Sequence, residues 1–340
     1  MGNLERVSRF TSDLATRGLL YAIAQDRIHS PIPLDPKENW AFWAQPQPSL
    51  MKWFARAYPP SPIRKAFLDS MLEQDHASGI ESHYDVSNDF YALFLDNQYR
   101  FYSAADFLHE QDTLEDAQHN KAMYLRSLLR LQGNEKILDL GCGWGAMLKL
   151  LRDQGHSGEL TGFTLSKEQL AYVQELGFNV SLTNFITTPF EHKPFDRILS
   201  IGALEHVRPD EVEIIHQKIY AALAPGGLAV HQFFSLEYEP YPASMVMIQL
   251  FFPGSLLVMH PVHIEAAKQA GFHITHDSIH DYKPTLRAWY DRLVAHREQA
   301  LNLVGLETYN RYMTFFPISW LFFEQNEAKL HRVVMEKSVA

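Results

Sequence analysis

The sequence predicts an α/β protein in which a parallel sheet is flanked by helices and preceded by a helical N-terminal region. From Glu135 onward, short apolar runs typical of buried strands alternate with runs of helical periodicity. Such alternation indicates βαβ units and a parallel sheet. A glycine-rich turn joins the first of these strands to the following helix, as in nucleotide-binding sheets. With 340 residues, of which 46% are hydrophobic and 21% charged, the chain can bury a sizeable core.

The order of the elements follows from the same patterns. The predicted strands cover residues 136–141, 159–165, 179–184, 195–202 and 228–234, and the predicted helices between them cover 146–152, 167–176 and 210–223. A polar helix is predicted from about Thr113, because Thr113 and Asp116 have the spacing of a capping box. We divide the chain into a region at 1–75, with helices at 4–28, 49–58 and 63–74 broken by prolines, and a domain at 76–340.

The composition argues against several classes of protein. A formal net charge of −10 speaks against general nucleic-acid binding, which requires a basic surface. The single cysteine, Cys142, cannot form an internal disulfide, as expected in a reducing compartment. No apolar run approaches the ~18 residues of a membrane span, and the N-terminus lacks the apolar core of a secretory signal. We therefore expect a soluble cytoplasmic protein.

Residues 50–68 are a candidate contact with a membrane surface. They contain cations but no acids, and the cations are Lys52, Arg56, Arg64 and Lys65. Trp53 and Phe54 lie among them, and aromatic side chains favour the membrane interface while cations favour anionic head groups. The alternative is a helical cap whose aromatic residues pack on the domain. Peripheral contact with the inner face of a membrane therefore stays open.

Residues 139–145, Asp-Leu-Gly-Cys-Gly-Trp-Gly, form the predicted cofactor loop. Gly141, Gly143 and Gly145 permit a tight turn and a close approach of the backbone to a ligand. The predicted strand before the loop and helix after it supply the context that a nucleotide-binding turn requires. Two features favour S-adenosylmethionine over NAD: Asp139 stands near the amino acid end of the ligand, and the third glycine comes one residue earlier than in the dinucleotide fingerprint.

The ends of the next two strands add further cofactor candidates. The second strand lacks the acid that often binds ribose hydroxyls, but Thr164, Ser166 and Gln169 can supply neutral hydrogen bonds. Asn184 and Phe185 follow the third strand, where an adenine ring would lie against an aromatic face. Ser166 is explained equally well as the N-cap of the next helix, and Phe185 as a core residue.

Several motifs in a fixed order resemble a known family. They occupy residues 83–91 (His-Tyr-Asp-Val-Ser-Asn-Asp-Phe-Tyr), 101–103, 113–118, 138–145, 165–169 and 200–206. Together they resemble the cyclopropane-fatty-acyl-phospholipid synthase family, which includes the mycolic acid cyclopropane synthases. The resemblance covers roughly residues 76–340. Segment 83–91 is its most specific part, because many methyltransferases share the glycine loop.

The resemblance implies a fold and an activity. The fold is the Rossmann-like sheet of class I methyltransferases, with an insertion at about 235–265 that lines an acyl pocket. The activity is transfer of the methyl carbon of S-adenosylmethionine to the double bond of an unsaturated fatty acyl phospholipid. The product is a cyclopropane or a methyl- or methylene-branched chain. Whether the protein forms a homodimer stays open.

The resemblance also implies roles for individual residues. Those expected around S-adenosylmethionine are His76, Tyr84, Tyr102, Gly141 and Gln169. Methyl transfer to an alkene leaves a carbocation, which aromatic faces stabilise, and the candidates for this aromatic wall are Tyr84, Tyr102 and Phe233.

Three further residues, Glu205, His231 and Tyr282, resemble the residues that hold a bicarbonate ion acting as general base. Taken alone, Glu205 is explained as a helix cap, His231 as a satisfied core histidine and Tyr282 as ordinary packing. Glu205 and His231, however, follow adjacent predicted strands, where α/β sheets place their chemistry. We therefore expect all three residues to be catalytic.

The sequence departs from the family pattern at two places. Ala104 stands where a cysteine is usual, which bears on the bicarbonate site if the thiol matters and is tolerable if the position contributes backbone groups. Residues 252–259 lack the proline that usually follows Phe-Pro-Gly. Because this segment is expected to line the acyl pocket, the substrate can differ from a standard phospholipid olefin.

Two other functions remain as alternatives. One is a small-molecule amine N-methyltransferase of the coclaurine type, although such enzymes usually carry an acid where this chain has Gly202. The other is a non-catalytic lipid-binding or S-adenosylmethionine-sensing protein, which retention of Glu205 and His231 disfavours. No metal site is expected, because His260 and His263 form a pair without a convincing third ligand.

Overall fold

The computed structural model describes residues 21–45, 86–190, 194–237, 248, 250–252 and 255–339. Its strands are β1 (Ile137–Leu140), β2 (Leu160–Thr164), β3 (Asn179–Leu182), β4 (Phe195–Ile201), β5 (Leu223–Leu236), β6 (His273–His280) and β7 (Ala328–Glu336). Its helices are α1 (Pro36–Ala44), α2 (Asn88–Ala92), α3 (Leu114–Leu128), α4 (Ala146–Asp153), α5 (Lys167–Glu175), α6 (Val212–Ala222), α7 (His260–Gln269), α8 (Lys283–Ala295) and α9 (Arg297–Glu324). Residues 21–28 are also helical.

The strands form one twisted sheet that positions the site. Within the described residues it has seven strands in the order β3-β2-β1-β4-β5-β7-β6. Strands β1 to β5 pair in parallel, whereas β7 runs antiparallel to both β5 and β6. The strand order reverses at β1 and β4, and such a reversal is where α/β sheets bind their ligands.

The two faces of the sheet carry separate parts of the core. Along each strand, successive side chains point to opposite faces. On one face, Ala229 and Phe233 of β5 pack with residues of α6 and α7. On the other face, Leu228 and Val230 pack with residues of α3 and α4. This alternation decides which residues of β5 can reach a site on a given face.

A third cluster of mostly aromatic residues covers the sheet on the side of the glycine loop. It joins α2, α8 and α9, and it includes Phe90, Tyr91, Phe94, Trp144, Trp289, Tyr312 and Phe316. Helix α1 packs against the same helices, because Asn39 donates hydrogen bonds to the Tyr290 hydroxyl at 3.3 Å and the Met313 carbonyl at 2.7 Å. Residues 36–44 are therefore part of the packed body.

The predicted strands and helices of residues 136–234 are confirmed to within a few residues at most boundaries, although β5 begins earlier, at Leu223. The capping box is also present, because the Asp116 N–H donates to the Thr113 hydroxyl and the Thr113 N–H donates to the Asp116 carboxylate. Helix α1 was not predicted; Pro36 stands in its first turn, where no backbone donor is needed. Most of the predicted N-terminal helices lie outside the described residues.

The five predicted strands pair in parallel, as expected, and the structure adds two strands that the sequence did not predict, β6 and the antiparallel β7. This strand carries His331 and Arg332, whose charge and polarity hide a buried strand in the sequence. In the structure, Arg332 is fully buried but forms hydrogen bonds to both Asp106 oxygens at 2.7 Å and to Gln232 Oε1 at 2.8 Å. Partners distant in the chain thus make a polar residue compatible with a central strand.

Candidate active site

The glycine loop turns tightly between β1 and α4, and its three glycines have different tasks. All have positive φ, at 82° for Gly141, 55° for Gly143 and 72° for Gly145. A Cβ on Gly141 would lie 2.6 Å from Ala203 Cβ, and one on Gly145 would lie 2.9 Å from Val173 Cγ1. A Cβ on Gly143 would meet nothing within 4 Å.

A cavity that is partly open to solvent lies at this loop. Gly141 and Gly143 line it, whereas Gly145 does not. The role of Gly145 is therefore close packing of the loop against α5. The open space at Gly143 is the place where a ligand can approach the backbone.

Asp139, at the carboxyl end of β1, faces the same cavity. The residue is 2% exposed, and its Oδ1 has no hydrogen-bond partner among the described residues. Burial raises the pKa of this carboxyl to about 7, against a smaller opposing effect of the Lys121 ammonium. An unpartnered buried acceptor fits the ammonium group of an amino acid ligand.

The loop after β2 is arranged by its own hydrogen bonds. The Thr164 hydroxyl lies 2.7 Å from Gln169 Oε1, and it also accepts from the Ser166 N–H at 3.1 Å. The Ser166 hydroxyl accepts from the Gln169 N–H, which makes it the N-cap of α5. All three residues line the cavity, so Ser166 is both a cap and part of the wall.

Asn184 and Phe185 complete the far wall of this cavity. Asn184 Oδ1 accepts from the Ile186 N–H at 2.9 Å and thereby closes the turn. The carbonyls of Phe185, Ile186 and Thr188 accept from the Lys218 ammonium. Phe185 also belongs to the core on the α6 and α7 face, so it is both a core residue and part of the cavity wall.

Tyr102 lines the cavity too, whereas the predicted cofactor residues His76 and Tyr84 lie outside the described residues. Sequence reasoning assigned no role to Asn88 and Trp144. Trp144 Nε1 donates to Asn88 Oδ1 at 2.6 Å, and Asn88 Nδ2 is 3.4 Å from the Glu168 carbonyl. Asn88 thus ties the glycine loop to the start of α5, and its place in segment 83–91 is the signal that pointed to it.

A second cavity, of about 920 Å³, adjoins the first. Tyr102, Gly202 and His206 line both cavities. The walls of the second are largely aromatic and aliphatic, and they include Phe251, Phe252, Leu257, Phe315, Ile318 and Phe322. Phe252 and Leu257 belong to the segment expected to line an acyl pocket. His206 is a site residue to which sequence reasoning gave no role, although it lies in the motif at 200–206.

Glu205 and Tyr282 both line the second cavity. Glu205 lies in a short 3₁₀ turn after β4, and its Oε2 is buried without a hydrogen-bond partner among the described residues. Burial raises the pKa of Glu205 to about 8, so the carboxyl is mostly neutral at pH 7. Tyr282 precedes α8, and its ring lies 5.1 Å from the ring of Phe323 and 6.4 Å from that of Phe234.

His231 does not lie beside Glu205 and Tyr282. It follows Val230 and precedes Gln232 on β5, so it points to the α6 and α7 face, and it lines neither of the two cavities that described residues form. Its ring lies 6.5 Å from that of His216, and burial lowers its pKa to about 3. Neither ring nitrogen has a hydrogen-bond partner within the described chain, so it is not the satisfied core histidine either.

Of the aromatic wall expected at Tyr84, Tyr102 and Phe233, Tyr84 lies outside the described residues and Tyr102 lines both cavities. Phe233 is fully buried in the core on the α6 and α7 face, whereas Phe234, on the opposite face, lines the second cavity. Ala104 is buried and lines neither cavity in the described part of the chain, and its carbonyl lies 3.4 Å from Gln232 Nε2. This position therefore contributes a backbone group.

Of the residues that the structure places, none belongs to a helix that is both long and apolar enough to cross a membrane. The cationic segment 50–68 lies outside the described residues.

Comparisons with known proteins agree with this geometry. The profile of the mycolic acid cyclopropane synthetase family matches residues 72–333. Cyclopropane mycolic acid synthase 1 of Mycobacterium tuberculosis is 32% identical over 260 residues, which cover 71% of this chain and 90% of that protein. The crystal structure of mycolic acid cyclopropane synthase CmaA1 with SAH and CTAB superposes with a TM-score of 0.70 at 28% identity, over 78% of this chain and 99% of that one.

A coclaurine N-methyltransferase structure superposes with a TM-score of 0.71 over 94% of this chain and 99% of that chain. Its identity is 18%, so this likeness shows the fold alone. The family match, in contrast, covers most of the chain and includes both cavities. The chain therefore belongs to the mycolic acid cyclopropane synthetase family and is an S-adenosylmethionine-dependent methyltransferase.

Proposed function

We propose that this enzyme transfers the methyl carbon of S-adenosylmethionine to the double bond of an unsaturated fatty acyl chain carried by a phospholipid. The product is a cyclopropane or a methyl- or methylene-branched chain. The observation that carries the proposal is the junction of two cavities: one is built on the glycine loop, and the other has largely apolar walls. Glu205 and Tyr282 line the apolar cavity near this junction.

The residues of the first cavity fit the cofactor. Asp139 offers an unpartnered buried oxygen, and Gly143 leaves open space beside the backbone. Asp139 would accept a hydrogen bond from the ammonium group of S-adenosylmethionine. Thr164 and Gln169, at and after the end of β2, offer neutral polar groups to the same cavity. Bound S-adenosylmethionine supplies an electrophilic methyl group, and the chain's contribution is to hold it close to the apolar cavity and to exclude water.

The second cavity fits an alkene that develops positive charge. When the π electrons form the new carbon–carbon bond, the S–CH₃ electrons return to sulfur and the acyl chain becomes a carbocation. Tyr102, Phe234 and Tyr282 line this cavity, and aromatic faces stabilise cations. Loss of a proton from the transferred methyl then allows ring closure.

Glu205 and Tyr282 are the residues that fit a bicarbonate ion, and His231 is not. A neutral Glu205 carboxyl can donate a hydrogen bond to an anion, as can the Tyr282 hydroxyl. Bicarbonate, when bound, supplies a base for the released proton. Glu205 and Tyr282 then orient that base, and the raised pKa of Glu205, at about 8, keeps the donor proton in place near neutral pH.

An amine substrate fits the apolar cavity less well. Among the described residues that line it, Glu205 is the single carboxyl, and its raised pKa leaves it neutral at pH 7. Gly202 stands where coclaurine-type enzymes usually carry an acid, and a Cβ there would lie 3.6 Å from Glu205 Oε1. The site therefore lacks the paired acids that would bind an ammonium group.

Mass spectrometry of lipids tests the proposal. We expect cells that express the protein to accumulate acyl chains 14 mass units heavier than their unsaturated precursors, and purified enzyme to produce them from S-adenosylmethionine and unsaturated phospholipid vesicles. The Glu205→Gln variant is the matched negative control. Unchanged lipids, together with methylation of a small amine by the same preparation, would overturn the lipid assignment.

Residues 50–68 remain a proposed contact with anionic membranes. The basis is their cations without acids, and each such cation contributes ~1 kcal/mol near an anionic surface. Vesicle sedimentation should show binding that rises with anionic lipid and weakens with salt, because charges are screened over ~8 Å at physiological ionic strength. Binding that ignores both variables would contradict the proposal.

A further inference from the structure

A cluster of histidine and acidic side chains lies on the α6 and α7 face, away from both cavities. His260 is the first residue of α7, Asp277 lies on β6 and His331 lies on β7. One ligand atom from each of these residues lies within 4.8 Å of the other two. Three elements that are distant in sequence therefore converge on one point.

The geometry within this cluster is close to that of a coordination site. His260 Nε2 lies 2.9 Å from Asp277 Oδ2, and His331 Nδ1 lies 3.8 Å from Asp277 Oδ1. Tetrahedral zinc with bonds of ~2.0–2.2 Å places its ligand atoms ~3.3–3.6 Å apart. Small rotations of the side chains, including separation of the two imidazole rings that now stack at 3.9 Å, would bring the three atoms to that spacing.

His331 is the observation that points to a ligand. It is 4% exposed, and neither of its ring nitrogens has a hydrogen-bond partner among the described residues. A buried imidazole without partners is costly unless something else satisfies it. The lone pair of a neutral imidazole can bind a metal ion.

Glu237 stands where a supporting group of a metal site is usually found. Its Oε1 lies 3.8 Å from His331 Nε2, on the other side of the ring from Asp277. Histidines that bind metals commonly donate their second ring N–H to a carboxylate, which fixes the tautomer and raises ligand basicity. Glu237 Oε2 also accepts from the Lys329 ammonium at 2.7 Å, which holds the carboxylate in position.

We infer that His260, Asp277 and His331 form a binding site for a divalent transition-metal ion of the zinc type, with Glu237 as the carboxylate that orients His331. Two imidazoles and one carboxylate are a ligand set typical of zinc. The bound ion ties the N-terminus of α7 to the edge strand β6 and to its neighbour β7. Asp277 is partly exposed, which gives the ion a route from solvent.

His263 does not belong to this site, although the sequence pairs it with His260. Its Nδ1 lies 3.3 Å from His216 Nε2, and the ring packs 4.8 Å from that of Phe233. The sequence showed no third ligand beside His260, because Asp277 and His331 approach it only after the sheet has formed.

Zinc titration of the full-length untagged protein tests the inference. The protein is first treated with chelator and then titrated with Zn²⁺ in competition with a chromophoric chelator. We expect one equivalent to bind, and at least tenfold weaker binding in His260→Gln, Asp277→Asn and His331→Gln, since even loss of a supporting residue costs 10- to 100-fold. Glu237→Gln should weaken binding by less than the loss of a ligand.

The control variant is His273→Gln, which removes an exposed histidine at the start of β6 and should leave zinc binding unchanged. Substitution with Co²⁺ gives an independent readout, because a tetrahedral nitrogen and oxygen site produces intense visible absorption that the His331→Gln variant should lose. Asp277 is partly exposed, so Asp277→Asn should disturb folding less than a substitution of the buried His331. Weaker zinc binding in this variant therefore separates loss of a ligand from misfolding. Zinc binding that is absent in the parent, or equal in the parent and all ligand variants, would refute the site.

Discussion

Replacement of Asp139 by asparagine should weaken cofactor binding and at the same time stabilise the cofactor-free protein. The carboxyl is 2% exposed, Oδ1 has no partner among the described residues, and burial raises its pKa from 3.8 to about 7. Asparagine has nearly the same shape but cannot ionise. The substitution therefore isolates the cost of burying this charge and the benefit of offering it to a ligand.

The size of the stability effect follows from the linkage between protonation and folding. Because the folded pKa of Asp139 is raised, the folded protein retains a proton between pH 4 and pH 7 that the unfolded chain releases. The parent therefore loses unfolding free energy as pH rises through this window, and the loss levels off above pH 7. At ~1.4 kcal/mol per pKa unit, the variant gains up to about 4 kcal/mol over the parent at pH 8 and less at pH 5.

Cofactor binding should change in the opposite direction. A hydrogen bond to a charged group contributes ~1.5–3 kcal/mol, so the variant should bind S-adenosylmethionine roughly 10- to 150-fold more weakly at pH 8. The difference should narrow below pH 7, because the parent carboxyl is then protonated as well. Calorimetric titration gives the affinity, and urea unfolding of the cofactor-free protein gives the stability, both measured from pH 5 to pH 8.

Asp153→Asn, at the end of α4, is the matched control, because its carboxylate is partly exposed and pairs with Lys149. It should change neither quantity appreciably. A merely structural role for Asp139 would lower affinity and stability together. Equal affinities of parent and Asp139→Asn at pH 8, or a variant that is less stable than the parent there, would refute the reasoning.

Three further substitutions probe the loop and the base. Gly143→Val should abolish calorimetric binding of S-adenosylmethionine by filling the open space beside the loop. Gly155→Val, also at a positive φ (81°) but away from the cavity, should retain binding; binding by both variants would contradict the loop assignment. Glu205→Gln should reduce turnover by ~10²–10⁴-fold, leave cofactor affinity unchanged and remove the response of the rate to added bicarbonate; a fully active variant in bicarbonate-depleted buffer would exclude the proposed base. Tyr282→Phe should slow turnover only ~2- to 12-fold, since one hydrogen bond contributes ~0.5–1.5 kcal/mol, and a larger loss in steady-state rates would assign it more than orientation of the base.

The sequence by itself determined the strands and helix ends that depend on interactions between residues close together in the chain. Short apolar runs produced β1 to β4 close to their predicted positions, and Thr113 and Ser166 cap the helices that they precede. The glycine loop was recognisable because positive φ and close backbone approach require glycine. Most of the predicted cofactor residues that the structure describes line one cavity, because most of them lie at the carboxyl ends of neighbouring parallel strands.

Only the tertiary structure decided to which face of the sheet each side chain points. His231 and Phe233 occupy the right strand but the face opposite Phe234 and Gln232, because a shift of one position reverses a side chain in a strand. Likewise, Gly145 packs against Val173 and does not line the described cavity. Strand β7 lies inside the sheet because distant partners satisfy Arg332. The meeting of His260, Asp277 and His331 has no signature in the sequence, since their spacing along the chain reflects no local geometry and their approach depends on the pairing of β6 with β7.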